Sequence, residues 1–174
     1  RAFFDGRNNR LPGERPTLSD WANHLSTIFP EVRLKKFLEM RGADGGPWWR
    51  LCALPALWVG LLYDQVALDA AWELCKDWSQ AEHQALRDEV PRQGLQAPFR
   101  RGTVQDLARQ VVTIAVEGLK RRARALAFIS DESHFLAPLQ EVADSGLTAA
   151  DRALEAFAGR WGGNVDHAFK ELAY

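Results

Sequence analysis

Only one stretch of this 174-residue chain alternates with period two, EVRLKKFLEMR at residues 31–41. Read as a single strand over 32–41, it places Arg33, Lys35, Phe37, Glu39 and Arg41 on one face, and Leu34, Lys36, Leu38 and Met40 on the other. A lone strand cannot pair its own N–H and C=O groups and is not a stable unit. The partner is therefore expected in residues 1–5, in another chain, or in a segment missing from this sequence. The start at Arg1, with RAFF reading as the middle of an element, favours a missing segment.

Everything after Pro47 reads as helix. Before it, 5–16 is a breaker-rich loop, and Thr17 with Asp20 opens a helix along Leu18, Trp21, Leu25 and Ile28 that Pro30 should end. Trp48–Leu54 and 55–63 follow, with Pro55 suited to a first turn, then 65–77. Ser79 with Glu82 opens a helix expected to stop at Pro91. Thr103 with Asp106 opens the longest one, with Val104, Leu107, Val111, Ile114 and Leu119 as its expected buried stripe. Helices at about 133–144, after Thr148 with Asp151, and at 166–172 complete the chain. No second strong strand signal appears downstream, and no internal repeat.

With 22 basic and 23 acidic residues the net charge is −1, which gives no global pull toward nucleic acid or an anionic membrane. The basic runs Lys120-Arg121-Arg122 and Arg100-Arg101 read as helix surface or helix-end charge rather than a phosphate-backbone site. The longest apolar run, 51–63, is too short to cross a bilayer. Cys52 and Cys75 make neither a disulfide framework nor a zinc site. In apolar stretches they read as buried thiols, and with no secretory signal the expected compartment is cytoplasmic. His24, His83, His134 and His167 lack metal spacing. Trp48 and Trp49 beside Gly45-Gly46-Pro47 read as a loop anchor in the helical part, with a cover over a substrate amine or an adenine as the alternative.

Three readings compete for the charged strand face: a solvated sheet face, an internal ion-pair ladder around Glu39, or a site for an anionic substrate and its metal. The third has a specific chemistry. Glu39 offers oxygen to Mg²⁺, and Arg41, about 6.6 Å along the same face, offers a planar fork to phosphate or carboxylate. Phosphoryl transfer needs such charge stabilisation and little covalent help.

Taken together, TLSDWANHLSTIFPEVRLKKFLEMRGADGGPWWRLCALPALWVGLLYD, APFRRGTVQDLA, GLKRRA, DESHFLAPLQEVADSG and GRWGGNVDHAFKELAY resemble the C-terminal part of plant-type glutamate–cysteine ligases, a group also found in proteobacteria. The resemblance covers about Thr17 to Tyr174. It implies an α+β fold, the C-terminal part of a glutamine-synthetase-like antiparallel-sheet funnel with one clear strand here, followed by a mostly α-helical region. Residues 1–47 would complete the sheet with the remainder of the ligase chain, and 48–174 would form the helical region. It also implies ATP-dependent joining of the glutamate γ-carboxylate to the cysteine amine through a γ-glutamyl phosphate, the first step of glutathione synthesis. Mg²⁺ is the implied cofactor, with Glu39 as metal ligand and Arg41 as the catalytic group. Arg33, Lys35 and Arg41 are the implied substrate and phosphate contacts. Asp44 would orient Arg41 or make an ordinary turn contact. The piece alone is expected to be inactive. The helical region reads as a scaffold behind the apolar strand face, with a homodimer surface as the alternative. The rival reading is a helical interaction or regulatory module derived from such a ligase. The disulfide regulation of plant members is not carried over to Cys52 and Cys75.

Overall fold

The segment expected as one strand turns back on itself. In the computed structural model, which describes residues 4–7, 10–34, 36–43 and 45–173, β1 (Val32–Leu34) pairs antiparallel with β2 (Leu38–Met40). Val32 faces Met40, Arg33 faces Glu39, and Leu34 faces Leu38. The backbone partner that a lone strand lacked is thus supplied six residues further along the same stretch. The alternation survives the reversal, because residues paired across a hairpin share a face: Arg33 and Glu39 on one side, the four apolar residues on the other.

The chain divides into two units, Arg1–Asp44 and Gly45–Tyr174. In the first, α1 (Leu18–Leu25) starts at a complete capping box, with Thr17 Oγ1 accepting from Asp20 N and Asp20 Oδ2 accepting from Thr17 N. The helix ends well before Pro30. Ser26 Oγ donates to Asn23 O at 2.6 Å and Thr27 Oγ1 to His24 O at 2.7 Å, so side chains take up the last carbonyls.

The second unit runs α2 (Trp48–Leu51), α3 (Ala53–Leu62), α4 (Gln65–Cys75), α5 (Gln80–Gln93), β3 (Pro98–Phe99), β4 (Gly102–Thr103), α6 (Val104–Ala125), α7 (Ala137–Ser145), α8 (Ala149–Ala158) and α9 (Asp166–Glu171). Capping boxes at Ser79/Glu82, Thr103/Asp106 and Thr148/Asp151 all form. Pro91 does not stop α5: its fixed φ is already helical, and the chain leaves the helix at Gly94, where φ is +56°. The two-residue hairpin β3–β4 was not foreseen. Its turn sets Arg100 at φ +52°, and Arg100 is then fixed from outside, Nε to Glu82 Oε1 at 2.6 Å and a terminal nitrogen to Asp77 O at 2.8 Å.

The core lies where α3 and α4 meet α6, and small residues build it. Of the stripe expected on α6, only Leu119 is fully buried; the buried line is Val112, Ala115, Gly118, Leu119 and Ala123. The cause is close approach. A Cβ on Gly118 would sit 1.9 Å from Gly60 O, and one on Gly60 would sit 2.3 Å from Ala115 O. Only hydrogen fits there, so larger residues such as Val111 and Ile114 pack beside the contact. Leu119 and Leu136 fill what remains and contribute about 1.5–3 kcal/mol each by burial. The fold is α+β and mostly helical, as the resemblance implies, with two antiparallel hairpins among the described residues where one strand was expected.

Candidate functional site

The β1–β2 register brings two of the expected site residues into contact and the chain just beyond β2 adds a third. Arg33 Nε donates to Glu39 Oε2 at 2.7 Å, and an Arg41 terminal nitrogen donates to the same oxygen at 3.4 Å. Glu31 O accepts from Arg41 N at 2.8 Å, which extends the pairing one step past β2. The Arg41 guanidinium also lies over the Phe29 ring, 5.3 Å from its centroid. Arg33, Glu39 and Arg41 are part-exposed, with side-chain accessibilities of 19%, 32% and 27%. The hydrogen bond from Arg33 holds the Glu39 carboxyl below its ordinary range against partial desolvation, with Arg33 and Arg41 charge adding to it. Lys35 and Asp44 lie outside the described residues.

Two guanidiniums on one carboxylate carry net positive charge, so the cluster suits an anion with oxygens to share between two planar forks. Among the described residues no group of three His, Cys, Asp or Glu is placed to hold a metal ion. Mg²⁺, the cofactor that the resemblance implies, takes oxygen ligands and keeps several waters or phosphate oxygens in its shell. Glu39 fits it as one carboxylate of a shell completed by phosphate oxygens, the usual way Mg²⁺ is held beside a nucleotide.

Elsewhere the structure assigns packing roles to residues that carry charge. Lys120 pairs with Glu117 at 3.0 Å, Arg121 with Asp64 at 2.9 Å and Arg122 with Glu132 at 2.8 Å, so each cation of the basic run has a carboxylate. Cys52 is exposed, contrary to the buried thiol expected, at the α2–α3 junction where it precedes the first residue of α3; Cys75 is half-buried and both are free. Trp48 and Trp49 are 82% and 58% exposed, so they do not anchor the loop into the helical unit. They line a cleft with α8 and the end of the chain, including Arg160, Trp161 and Glu171, which the sequence did not single out. The only pointer to that second cluster was the Gly162-Gly163 break before the last helix. No single helix among the described residues is long and apolar enough to cross a membrane.

The model of glutamate–cysteine ligase family 2 matches residues 4–171. The chain is 51% identical over 174 residues to the chloroplastic glutamate–cysteine ligase of Nicotiana tabacum, covering all of this chain and 32% of that protein. The corresponding values are 52% and 32% for Arabidopsis thaliana, and 51% and 33% for Medicago truncatula, both also named chloroplastic glutamate–cysteine ligases, again over all of this chain. The chain thus spans about a third of the length of the curated relatives it matches. The cytoplasmic expectation is overturned by these relatives, which are named chloroplastic; two free thiols do not distinguish cytosol from plastid.

Proposed function

Because the chain belongs to glutamate–cysteine ligase family 2, we propose that it supplies the C-terminal part of an enzyme that joins the γ-carboxylate of glutamate to the amine of cysteine at the expense of ATP. The observation that carries the reading is identity near 51% over the entire chain to proteins named for that reaction. The geometry of Arg33, Glu39 and Arg41 supports it as a cationic, pre-oriented receiver for anionic oxygens.

In the reaction proposed, a γ-carboxylate oxygen attacks the terminal phosphorus of ATP and the bond to ADP breaks. The cysteine amine then attacks the acyl carbon of the γ-glutamyl phosphate, phosphate leaves with its electron pair, and the nitrogen loses a proton. Negative charge gathers on transferring phosphoryl oxygens in the first step and on departing phosphate in the second. Arg41, free of the cross-strand pairing that occupies Arg33, is proposed to turn its fork to those oxygens, and Arg33 to hold substrate charge while keeping Glu39 in place. Lys35 is kept in the phosphate-binding role on its place in the pattern. Glu39 is the proposed Mg²⁺ ligand of this chain; bound there, Mg²⁺ would neutralise phosphate charge. The other carboxylates and the rest of the sheet are assigned to the remaining two-thirds of the relatives' length.

The test is Glu39→Ala in a protein spanning the relatives' full length. The proposal expects turnover to fall by about a hundredfold or more with the fold retained by circular dichroism. Near-normal turnover would leave Glu39 an ion-pair residue only.

A further inference from the structure

Within residues 45–173 a cleft of about 860 Å³ lies between the Gly45–Arg50 segment, α8 and the end of the chain. That size is in the range of sites for small organic ligands. Its donors converge on a carboxylate that the chain itself provides. Glu171 Oε1 accepts from the indole Nε1 of Trp161 at 2.6 Å, and Glu171 Oε2 accepts from the Arg160 guanidinium. Trp161 is 5% exposed, so its N–H is fixed in direction. A further cation, Arg50, stacks on Trp49 at 4.7 Å and brings into the lining a buried Nε with no hydrogen-bond partner. Arg50, Arg152 and Arg160 share the lining with Glu155 and Glu171, and Arg152 is tied to Glu141 at 2.7 Å, which leaves Arg50 as the arginine of the lining without a carboxylate ion pair among the described residues.

We propose that this cleft is a binding site for a small carboxylic acid with a flat apolar body, and that Glu171 is its built-in placeholder. The carboxylate class follows from the seat that Glu171 occupies, one guanidinium and one neutral indole N–H aimed at two oxygens of one group. The flat apolar body follows from the exposed Trp48 and Trp49, which line the same cleft as the alanines of α8. Glu171 is suited to give way. It ends α9, a six-residue helix with no buried residue, joined to α8 through a turn in which Gly162 and Gly163 take φ of +56° and +78°. An incoming carboxylate therefore displaces an acid held by few other contacts and gains Arg50 as an added donor. The site lies wholly within the helical unit and does not rest on the ligase reading.

The probe is 3-phenylpropionate, with 3-phenylpropanamide as its uncharged counterpart, titrated into a protein spanning the relatives' full length while the Trp161 indole N–H is followed by NMR. The acid should give a saturable shift, the amide none. Glu171→Gln, with Trp161 still able to donate to the amide oxygen, should bind the acid about tenfold more tightly, and Arg160→Gln should weaken it by a similar factor. An equal response to acid and amide, no saturable shift with Glu171→Gln, or an affinity that Glu171→Gln leaves unchanged overturns the proposal. Circular dichroism of both variants separates loss of binding from loss of fold.

Discussion

Arg33 and Glu39 are register partners across the β1–β2 hairpin, and their side chains close the same gap at 2.7 Å that the backbone closes with its ladder. Opposite charges at directly facing positions favour one register over its neighbours, since a slip by one residue would set Arg33 against an apolar side chain. The hairpin and the proposed site are thus specified by one contact.

That contact sets a pH dependence. The Arg33 hydrogen bond lowers the Glu39 pKa, so the folded state binds its proton less readily than the unfolded chain does. Stability from the pair is complete above the ordinary carboxylate pKa and is lost as pH falls through the lowered one. Carboxyl-carbon NMR of Glu39 should show a midpoint below the usual Glu value in the native chain, moving up in Arg33→Gln. An unchanged midpoint in that variant would mean that another group sets it.

Arg41 and Arg33 should separate in the full-length protein. Arg41 donates to Glu39 at 3.4 Å, a long bond that leaves its fork the readier of the two to take a substrate oxygen. Arg41→Lys keeps the charge and loses the planar fork, so kcat should drop by about tenfold or more while the thermal midpoint stays within a degree or two. Arg33→Lys should instead lower the thermal midpoint first, because its short bond ties the two strands. Steady-state rates alongside melting curves distinguish the two patterns.

A second carboxylate is shifted further. Glu82 accepts from Arg100 and also from Ser79 N and Oγ as the third residue of α5, and these together lower its pKa from 4.5 to about 2. Its contribution is present in full above 4.5 and is lost as pH falls from there through about 2. Arg100→Ala should raise the midpoint, although not to 4.5, because Ser79 still donates. An NMR titration of the Glu82 carboxyl in both proteins checks the direction.

How much of this was legible in the sequence depended on the range of each interaction. Thr17 with Asp20, Ser79 with Glu82, Thr103 with Asp106 and Thr148 with Asp151 formed as read, because a capping box is complete within four residues. The β1–β2 turn was missed because Lys36 and Phe37 carry none of the Gly, Asn or Asp signals that mark tight hairpins. Arg100 reaching Glu82, 18 residues away, and Trp161 reaching Glu171 across a double-glycine turn have no local signature. The α6 stripe was misassigned for a different reason. Spacing of large residues identifies an apolar side, but whether a partner helix seats on the large residues or between them depends on how closely its backbone can come, which Gly60 decides from another helix.

Gly118 is where that closeness can be measured. Replacing a mid-helix glycine by alanine ordinarily stabilises a helix by about 1 kcal/mol, by lowering the entropy of the unfolded chain. Here the added Cβ would stand 1.9 Å from Gly60 O and 2.9 Å from Ala67 Cβ. The first is backbone and cannot rotate aside, so α3 and α6 must separate and the packing around Leu119 and Ala115 must loosen. Overpacking of this kind costs about 1–3 kcal/mol even where side chains can yield, which outweighs the helix gain. Gly118→Ala should therefore lower the thermal midpoint by about 3–10 °C. Gly45→Ala, whose Cβ would meet nothing within 4 Å, should leave it unchanged and serves as the control in the same melting experiment. Equal midpoints for the two variants would place the α3 and α6 backbones further apart than 60 and 118 require.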